Sequence, residues 1–317
     1  MYNYRKIFEQ AFKVAIYNPF LWFFAFFTAL VGSSVANFYL FDNYTLSGQG
    51  MVYYFWQGLA EGGLFTKEGV SGLFLSLTSN PLFLFLFILA ILIFLGLSVF
   101  MIWIGIISQS ALISQSIAIS KNKSVSFKEG FKLGIDRFWP ILGLSVFLQL
   151  AIWVLFYIPD FFLLFDFPGS EIIALLSLFI SLTAILIIYF VIKYALCTVV
   201  LKDRNIFEAI KNSWEIFKKN WIITIEVAFS IFLIYFFIGS FASWFFSTVI
   251  LNFLVVFSGF KFGVFLIFIL TISFFFILQI ILTVFYWASW AIVFEILSDS
   301  KIKMTSFTRR IFDKLKF

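Results

Sequence analysis

Histidine is absent from this 317-residue sequence, and cysteine occurs once, at Cys197. Without histidine the chain has no imidazole for a metal site or for a nucleophile triad, and a single cysteine cannot form an intramolecular disulfide. No cluster of carboxylates lies at one depth of the apolar runs, so we also find no general base in the pattern. We therefore predict no catalytic residue, no metal and no cofactor, and a protein that is not an enzyme.

Charged residues are also scarce, at 12% of the chain, whereas apolar residues make up 63% and phenylalanine alone supplies 51 positions. Soluble domains have about 25% charged and about 45–50% apolar residues. A chain of this length cannot bury so much apolar surface in a core of its own. The composition indicates an integral membrane protein.

Six stretches are long and apolar enough to cross a bilayer core, which needs roughly 20 residues per helix. Their apolar runs are continuous, whereas barrel strands would alternate apolar and polar residues in pieces of about ten. The predicted fold is therefore all-α and polytopic, with six transmembrane helices arranged as three hairpins. The predicted spans are 19–40, 82–107, 139–158, 172–200, 221–250 and 264–297.

The basic residues are concentrated on one side of these spans. Residues 1–13 carry three of them, 121–137 five, 202–219 five and 301–316 six, which together are 19 of the 22 lysines and arginines. An excess of lysine and arginine marks the cytoplasmic side, so we predict a multi-pass protein of the inner or plasma membrane with both termini in the cytoplasm. Cleavage of a signal peptide at Ser34-Val35-Ala36 would leave five spans, which does not fit this charge pattern.

Three similar amphipathic segments precede the odd-numbered spans. They share an acid or amide, a small residue, a large apolar residue, lysine, any residue, a second small residue and a second large apolar residue. Each is followed by tryptophan near the entry to the next span, which is typical of the headgroup level. The segments are 10–16, 129–135 and 208–214, their lysines are Lys13, Lys132 and Lys211, and the tryptophans are Trp22, Trp139 and Trp221.

This pattern predicts a threefold repeat, in which an interfacial helix precedes a transmembrane hairpin. We expect one membrane domain over 1–317, with units of about 1–118, 119–201 and 202–298 and an amphipathic cytoplasmic tail at 299–317. A helix with an apolar face and lysine on its polar edge can lie in the membrane interface. The alternative is that the segments are cytosolic helices that pack on one another.

The predicted partners follow from these interfacial segments. A basic residue near an anionic inner leaflet contributes about 1 kcal/mol to membrane binding. We therefore predict membrane lipids, anionic on the cytoplasmic side, as partners, together with protein partners or a homo-oligomer, and no nucleic acid.

Two outer connections have distinct compositions. Residues 41–81 are rich in glycine, and their apolar pieces are too short to cross a bilayer. We predict one or two helices on the outer interface there, with a re-entrant loop as the alternative. Residues 159–171 are predicted to form a short acidic loop.

Two motifs carry a family resemblance: Phe127-Lys128-Glu129-Gly130-Phe131-Lys132 before the third span, and Val199-Val200-Leu201-Lys202-Asp203 followed by 208–214 before the fifth. On these motifs the chain resembles the polytopic membrane-domain family named for glycerophosphoryl diester phosphodiesterase, and neighbouring prokaryotic families of six-span proteins. The resemblance implies a fold and a membrane location. The catalytic module of that phosphodiesterase uses histidines and metal-binding carboxylates on a soluble barrel, so the resemblance implies no catalytic residue here.

Polar residues inside the spans form the candidate site, because ionisable groups are costly there and mark functional positions. Lys193 and Glu226 both lie in the inner half of their spans, so they are placed to pair. One interpretation is an inner vestibule for a polar solute or a lipid headgroup, and the other is hydrogen bonding between helices with Lys193 snorkelling to the surface. The candidate residues are Gln109, Gln149, Lys193, Glu226 and Gln279.

The sequence thus supports two functional hypotheses. The first is a non-enzymatic membrane protein that organises lipid or partner proteins through its interfacial helices, since these helices are the repeated element. The alternative is a transporter or channel for a small solute, an ion or a lipid.

Overall fold

A computed structural model describes residues 4–31, 66, 71–72, 75, 78–163, 170–250, 252–253 and 261–299. Within these ranges the chain is helical and forms no strand. The helices are α1 (Tyr4–Tyr17), α2 (Phe20–Leu30), α3 (Pro81–Ser120), α4 (Phe127–Asp136), α5 (Phe138–Leu163), α6 (Ser170–Lys202), α7 (Ile206–Phe245) and α8 (Lys261–Ser298). A π-helical turn, Phe246–Ile250, continues α7.

Within the described ranges, five helices are long and apolar enough to cross a membrane: α3, α5, α6, α7 with its π-helical turn, and α8. The number rises to six if α1 and α2, which are bent by 101°, count as one span. Large apolar side chains are exposed along much of these helices, as expected for surfaces that face lipid. The prediction of an all-α fold with several long apolar helices is therefore confirmed, and the structure is compatible with a polytopic membrane protein.

Three helices extend beyond the predicted spans. The second span was predicted to end at Ile107, but α3 continues to Ser120, because the serines and glutamines that follow are buried side chains of the same helix. Pro159 was predicted to begin a loop, but it lies within α5. Proline removes one backbone hydrogen bond, and so close to the helix end this loss does not stop the helix. The third amphipathic segment is continuous with α7, which has non-helical angles (φ −129°, ψ 27°) only at Asn220.

Several predictions concern residues outside the described ranges. These are residues 32–40 of the first span, most of the outer connection 41–81, residues 164–169 of the loop 159–171 and the amphipathic tail after Asp299.

The helices divide into two compact units. The first comprises the described parts of Met1–Phe26, Ile106–Leu233 and Ile280–Phe317. Its core contains three helical stretches that are buried on almost every side: 106–117 of α3, 190–200 of α6 and 282–294 of α8. We call these stretches the central segments. Their largest buried side chains are Tyr194, Phe285, Trp287, Trp290 and Phe294.

The second unit comprises the described parts of Phe27–Gly105 and Ile234–Gln279. Within it, Gly105 of α3 lies so close to the end of α2 that a Cβ atom there would be 2.3 Å from the Cγ2 atom of Val31. Aromatic side chains join the end of α7 to α8, since the rings of Phe245 and Phe274 are 6.4 Å apart.

Candidate functional site

The first amphipathic segment, in α1, packs on the central segment of α8. The rings of Phe12 and Phe285 stack with their centroids 4.3 Å apart, and Phe8, one turn earlier, lies 6.1 Å from the same ring. These residues come from opposite ends of the chain, so a contact between distant elements positions this segment.

The second segment, in α4, packs on the central segment of α3 through its glycines. A Cβ atom at Gly134 would lie 2.6 Å from both the Cγ2 atom and the carbonyl oxygen of Ile107. A Cβ atom at Gly130 would lie 3.0 Å from the amide nitrogen of Gln115. The two helices therefore approach at a distance that only residues without a side chain permit.

The third segment, at the start of α7, packs on the central segment of α6. The hydroxyls of Ser213 and Thr198 hydrogen-bond at 3.2 Å, and that of Thr198 also donates to the Tyr194 carbonyl at 2.9 Å. Further along α7, the Thr224 hydroxyl bonds the Tyr194 hydroxyl at 2.8 Å. Each amphipathic segment thus contacts a different central segment of the first unit.

Equivalent positions of the three segments have the same burial. The small residues at the second and sixth positions face the protein, and the lysine and the last large apolar residue face outwards. The buried residues are Ala11 and Ala15, Gly130 and Gly134, and Ala209 and Ser213. The exposed residues are Lys13, Lys132 and Lys211, with Ile16, Ile135 and Trp214 at 51%, 45% and 47% exposure. Each of the three segments therefore exposes a lysine together with a large apolar side chain.

Asparagine side chains close the first and third segments in the same way. The amide of Asn18 donates to the carbonyl oxygen of Val14 at 3.1 Å, and the amide of Asn220 donates to that of Ile216 at 3.0 Å. In both segments, the asparagine side chain thus bonds the carbonyl oxygen four residues earlier.

The three tryptophans predicted at the membrane interface have different surroundings. Trp22 donates its indole N–H across the bend between α1 and α2 to the carbonyl oxygen of Ala15, at 2.8 Å. Trp139 and Trp221 are instead 75% and 52% exposed. Trp22 therefore holds the bend, whereas the other two present their rings outwards.

Ion pairs link helix ends within the first unit. Arg137, between α4 and α5, pairs with Asp203, which directly follows α6. Lys121, after α3, pairs with Glu295 of α8. The hydrogen bond from Arg137 lowers the pKa of the Asp203 carboxyl, although water screens the pair because the aspartate side chain is 71% exposed.

Lys193 lies inside the first unit, where it is only 3% exposed. Its Nζ atom is 3.9 Å from the ring centroid of Trp287, 4.9 Å from that of Tyr286 and 5.1 Å from that of Tyr189. The two tyrosine hydroxyls hydrogen-bond each other. We call these three rings the aromatic cage. The ammonium is surrounded by ring faces, which attract cations, so Lys193 does not snorkel to the surface.

The other candidate residues lie in several environments. Glu226 is half-buried and accepts a hydrogen bond from the Tyr4 hydroxyl, and its pairing with Lys193 stays a prediction. Gln109 is buried in a central segment at 5% exposure, and Gln279 is buried in the second unit at 6%. Gln149 is exposed on α5. Their grouping into one vestibule stays a prediction.

Sequence reasoning missed the aromatic partners of Lys193. One signal was available, because Tyr189 precedes Lys193 by four residues and so shares its helical face. The aromatic residues near the end of α8 gave a weaker signal, since aromatic side chains are abundant throughout this sequence.

The central segments also bury polar atoms without a hydrogen-bond partner among the described residues. They are the hydroxyls of Ser108, Ser110, Ser116 and Ser289, the side-chain oxygen of Gln115 and the indole N–H groups of Trp287 and Trp290. A buried polar group without a partner costs about 1–3 kcal/mol, so these positions are candidates for ligand contact.

The part of the chain that the structure describes contains no group of three or more cysteine, aspartate or glutamate side chains that could hold a metal ion. Comparison of the chain with models of protein families, with curated proteins and with solved structures finds no match. The resemblance to the phosphodiesterase membrane-domain family therefore stays a prediction, and the function has to be argued from the geometry of the first unit.

Proposed function

We propose that this protein organises anionic lipid at the cytoplasmic surface of the membrane through its three amphipathic segments. The observation that carries the proposal is that equivalent positions of the three segments have the same burial. In each segment, the two small residues pack against a central segment, whereas the lysine and the last large apolar residue are exposed. In this proposal the chain is a six-span membrane protein with a threefold repeat and cytoplasmic termini. It has the membrane fold of the family it resembles, without a catalytic module.

The outward face of each segment has the chemistry of a membrane interface. An exposed large apolar side chain gains free energy when it enters the boundary between headgroups and acyl chains. Lysine beside it remains at the headgroup level, where each basic residue contributes about 1 kcal/mol of attraction to anionic lipid. Three such faces around one unit favour an annulus of anionic lipid over binding of a single lipid.

The three lysines differ in their local charge. Lys13 pairs with Glu9 one turn earlier at 2.9 Å, with the two side chains 63% and 53% exposed. The hydrogen bond between them lowers the pKa of Glu9 and raises that of Lys13. Lys132 and Lys211 have no ion pair among the described residues. We therefore expect Lys132 and Lys211 to attract lipid phosphate more strongly than Lys13 does.

The proposal is tested by lipid selection around the reconstituted full chain. The protein is placed in bilayers of phosphatidylcholine with a minor fraction of phosphatidylglycerol, and energy transfer from its tryptophans to labelled lipids reports which lipid is enriched. The variant Lys13→Gln, Lys132→Gln, Lys211→Gln should lose the enrichment of the anionic lipid. The control Lys123→Gln, Lys218→Gln, Lys219→Gln removes the same charge from exposed positions outside the segments and should keep it.

Two outcomes contradict the proposal. One is equal enrichment around the wild type and the first variant, and the other is an equal loss in the control, which would show an effect of net charge alone. Flux of a labelled solute through the same proteoliposomes, without lipid selection, would instead favour the transporter alternative.

A further inference from the structure

A groove beside the start of α7 combines charges of both signs. It encloses about 290 Å³, which is at the lower end of the range for ligand pockets, about 300–1,000 Å³, and suits a ligand group of headgroup size. Two cations, two carboxylates and one amide line it. They are Arg204, Glu208, Lys211, Asn212 and Glu215. We call this site the charged groove.

The charges of the groove alternate along one face of the helix. Glu208, Lys211 and Glu215 are spaced by three and four residues, which places them on the same side of α7. Arg204, which precedes α7, donates a hydrogen bond to the Glu208 carboxylate at 3.1 Å. Both side chains of this pair are more than half exposed, so water screens the pair and a ligand can exchange with it.

Lys211 and Glu215 carry charges that the described part of the chain does not pair. They are one turn apart on α7, yet neither forms an ion pair among the described residues. Both side chains are exposed, and Asn212 between them is half-buried. The charged groove therefore offers a cation and a carboxylate, one turn apart, to a ligand that carries both signs of charge.

The full set of polar side chains occurs in the third amphipathic segment and not in the other two. In the first segment, Gln10 and Tyr17 occupy the positions of the two carboxylates. The second segment keeps both carboxylates, but Val125 and Leu133 occupy the positions of the arginine and the amide. The charged groove is thus a feature of one segment rather than of the repeat.

Two large apolar side chains beside the charged groove indicate a ligand with an apolar part. Phe207 and Trp214 are 87% and 47% exposed, and their seven-residue spacing places them on one side of α7. Each directly precedes a carboxylate of the groove. A headgroup in the groove would place its acyl chains against these two rings, as at a membrane interface.

We infer that the charged groove binds a zwitterionic aminophosphate group, which is the chemistry of an ethanolamine phospholipid headgroup. The phosphate pairs with Lys211 and Arg204, and the primary ammonium donates charge-assisted hydrogen bonds to Glu215 and Glu208. A choline headgroup carries the same charges, but its quaternary ammonium has no N–H group to donate. The charged groove therefore prefers ethanolamine to choline.

This inference rests on the proposed function for the placement of the third segment at the lipid surface, but it concerns a different selection. The proposed function predicts enrichment of anionic lipid through the lysines of all three segments. The charged groove instead distinguishes two headgroups without net charge, and it does so through its carboxylates. Each proposal can therefore fail without the other.

The inference is tested by lipid selection around the reconstituted full chain in bilayers of phosphatidylcholine with a minor fraction of phosphatidylethanolamine. Energy transfer from the tryptophans to either lipid, labelled in its acyl chain, compares the two in otherwise identical samples. We expect about threefold enrichment of phosphatidylethanolamine, because an exposed charge pair changes an equilibrium by less than a factor of about five. In a parallel series, phosphoethanolamine or phosphocholine is added to the purified chain in neutral detergent, and the unfolding temperature reports binding.

Two matched variants assign the preference to the charged groove. The variant Glu208→Gln, Glu215→Gln removes both carboxylates and should abolish the preference for phosphatidylethanolamine. It keeps every lysine, so the enrichment of phosphatidylglycerol should persist. The control Glu129→Gln, Asp136→Asn removes the carboxylates at the equivalent positions of the second segment and should keep the preference. All four side chains are exposed, so both variants should fold.

The outcomes also distinguish the sources of the ligand. Enrichment of phosphatidylethanolamine without an effect of phosphoethanolamine supports a lipid headgroup. A saturable rise of the unfolding temperature with phosphoethanolamine, but not with phosphocholine, supports a free aminophosphate. The absence of both effects in the wild type overturns the inference, as does an unchanged preference in the first variant or an equal loss in the control. Enrichment of phosphatidylglycerol without either effect would overturn this inference and leave the proposed function intact, and the reverse result would overturn the proposed function alone.

Discussion

The ammonium group of Lys193 on α6 lies 3.9 Å above the ring of Trp287 on α8, with both side chains buried. A desolvated cation over an indole face is stabilised by about 2 kcal/mol. That attraction offsets part of the desolvation cost of burying a charge in a long apolar helix. The pair therefore joins two central segments, on α6 and α8.

Substitutions in this pair should have opposite effects on stability. Lys193→Met removes a buried charge and keeps the volume, so we expect an equal or higher free energy of unfolding. Trp287→Leu leaves the ammonium without its nearest ring and should lower the free energy of unfolding by about 2–5 kcal/mol. Unfolding in mixed micelles measures both variants and the double variant. The Trp287 substitution should cost less when Lys193 is already Met, and strict additivity would show that the two side chains do not interact.

The sequence predicted this part of the molecule only in outline. Continuous apolar runs require helices in a bilayer, and Lys193 was recognisable as a costly residue within one of them. Its aromatic partners on α8 were not recognisable in the sequence, because tertiary packing decides which of the many aromatic rings lie next to the lysine. The contact between Phe12 and Phe285 likewise has no local signal, since its residues lie at opposite ends of the chain.

Helix ends were predicted less well than helices, for a related reason. Serine and glutamine after Ile107 indicate the end of an apolar span, but helix interiors accept both residues when neighbouring helices bury them. The sequence showed the small residues of the amphipathic segments as a repeated pattern. Their structural role is to let a segment approach a central segment closely, as Gly134 does at Ile107. A pattern of small residues does not itself say which helix they approach.

Gly134 should not tolerate a methyl group. A Cβ atom at this position would lie 2.6 Å from the Ile107 carbonyl oxygen, and a backbone atom cannot rotate away. We expect Gly134→Ala to lower the free energy of unfolding by about 1–3 kcal/mol and to loosen α4, measured by thermal unfolding and by hydrogen exchange of its amides. The control is Gly96→Ala, since nothing lies within 4 Å of that position. Equal unfolding temperatures for the two variants would contradict the close approach.

Trp22→Phe should weaken the bend between α1 and α2. The substitution keeps a ring but deletes the indole donor that reaches the Ala15 carbonyl oxygen at 2.8 Å, and such a bond contributes about 0.5–1.5 kcal/mol. Spin labels on α1 and α2 should report a broader distance distribution in the variant. Trp139→Phe, at a position that is 75% exposed, should leave the distribution unchanged. A distribution as narrow as that of the wild type would show that packing alone sets the bend.

Two of the ion pairs, Arg137–Asp203 and Lys13–Glu9, allow a crossed test of electrostatics outside the spans. Hydrogen bonds from Arg137 and Lys13 lower the pKa values of Asp203 and Glu9, respectively. Arg137→Gln should therefore raise the pKa of Asp203 and leave that of Glu9 unchanged, and Lys13→Gln should do the reverse. Carboxyl ¹³C shifts of selectively labelled protein measure both titrations in the same sample.

The sign of the linked stability follows from these lowered pKa values. A carboxyl whose pKa is lower in the folded than in the unfolded chain stabilises the fold above its unfolded pKa, near 4 for both residue types. This stabilisation is lost as the pH falls through the folded pKa. The wild type should thus lose slightly more stability on acidification than Arg137→Gln does. The difference should also shrink in high salt, because water and ions screen a pair whose aspartate is 71% exposed. A difference that high salt left unchanged would contradict an electrostatic origin of this stabilisation.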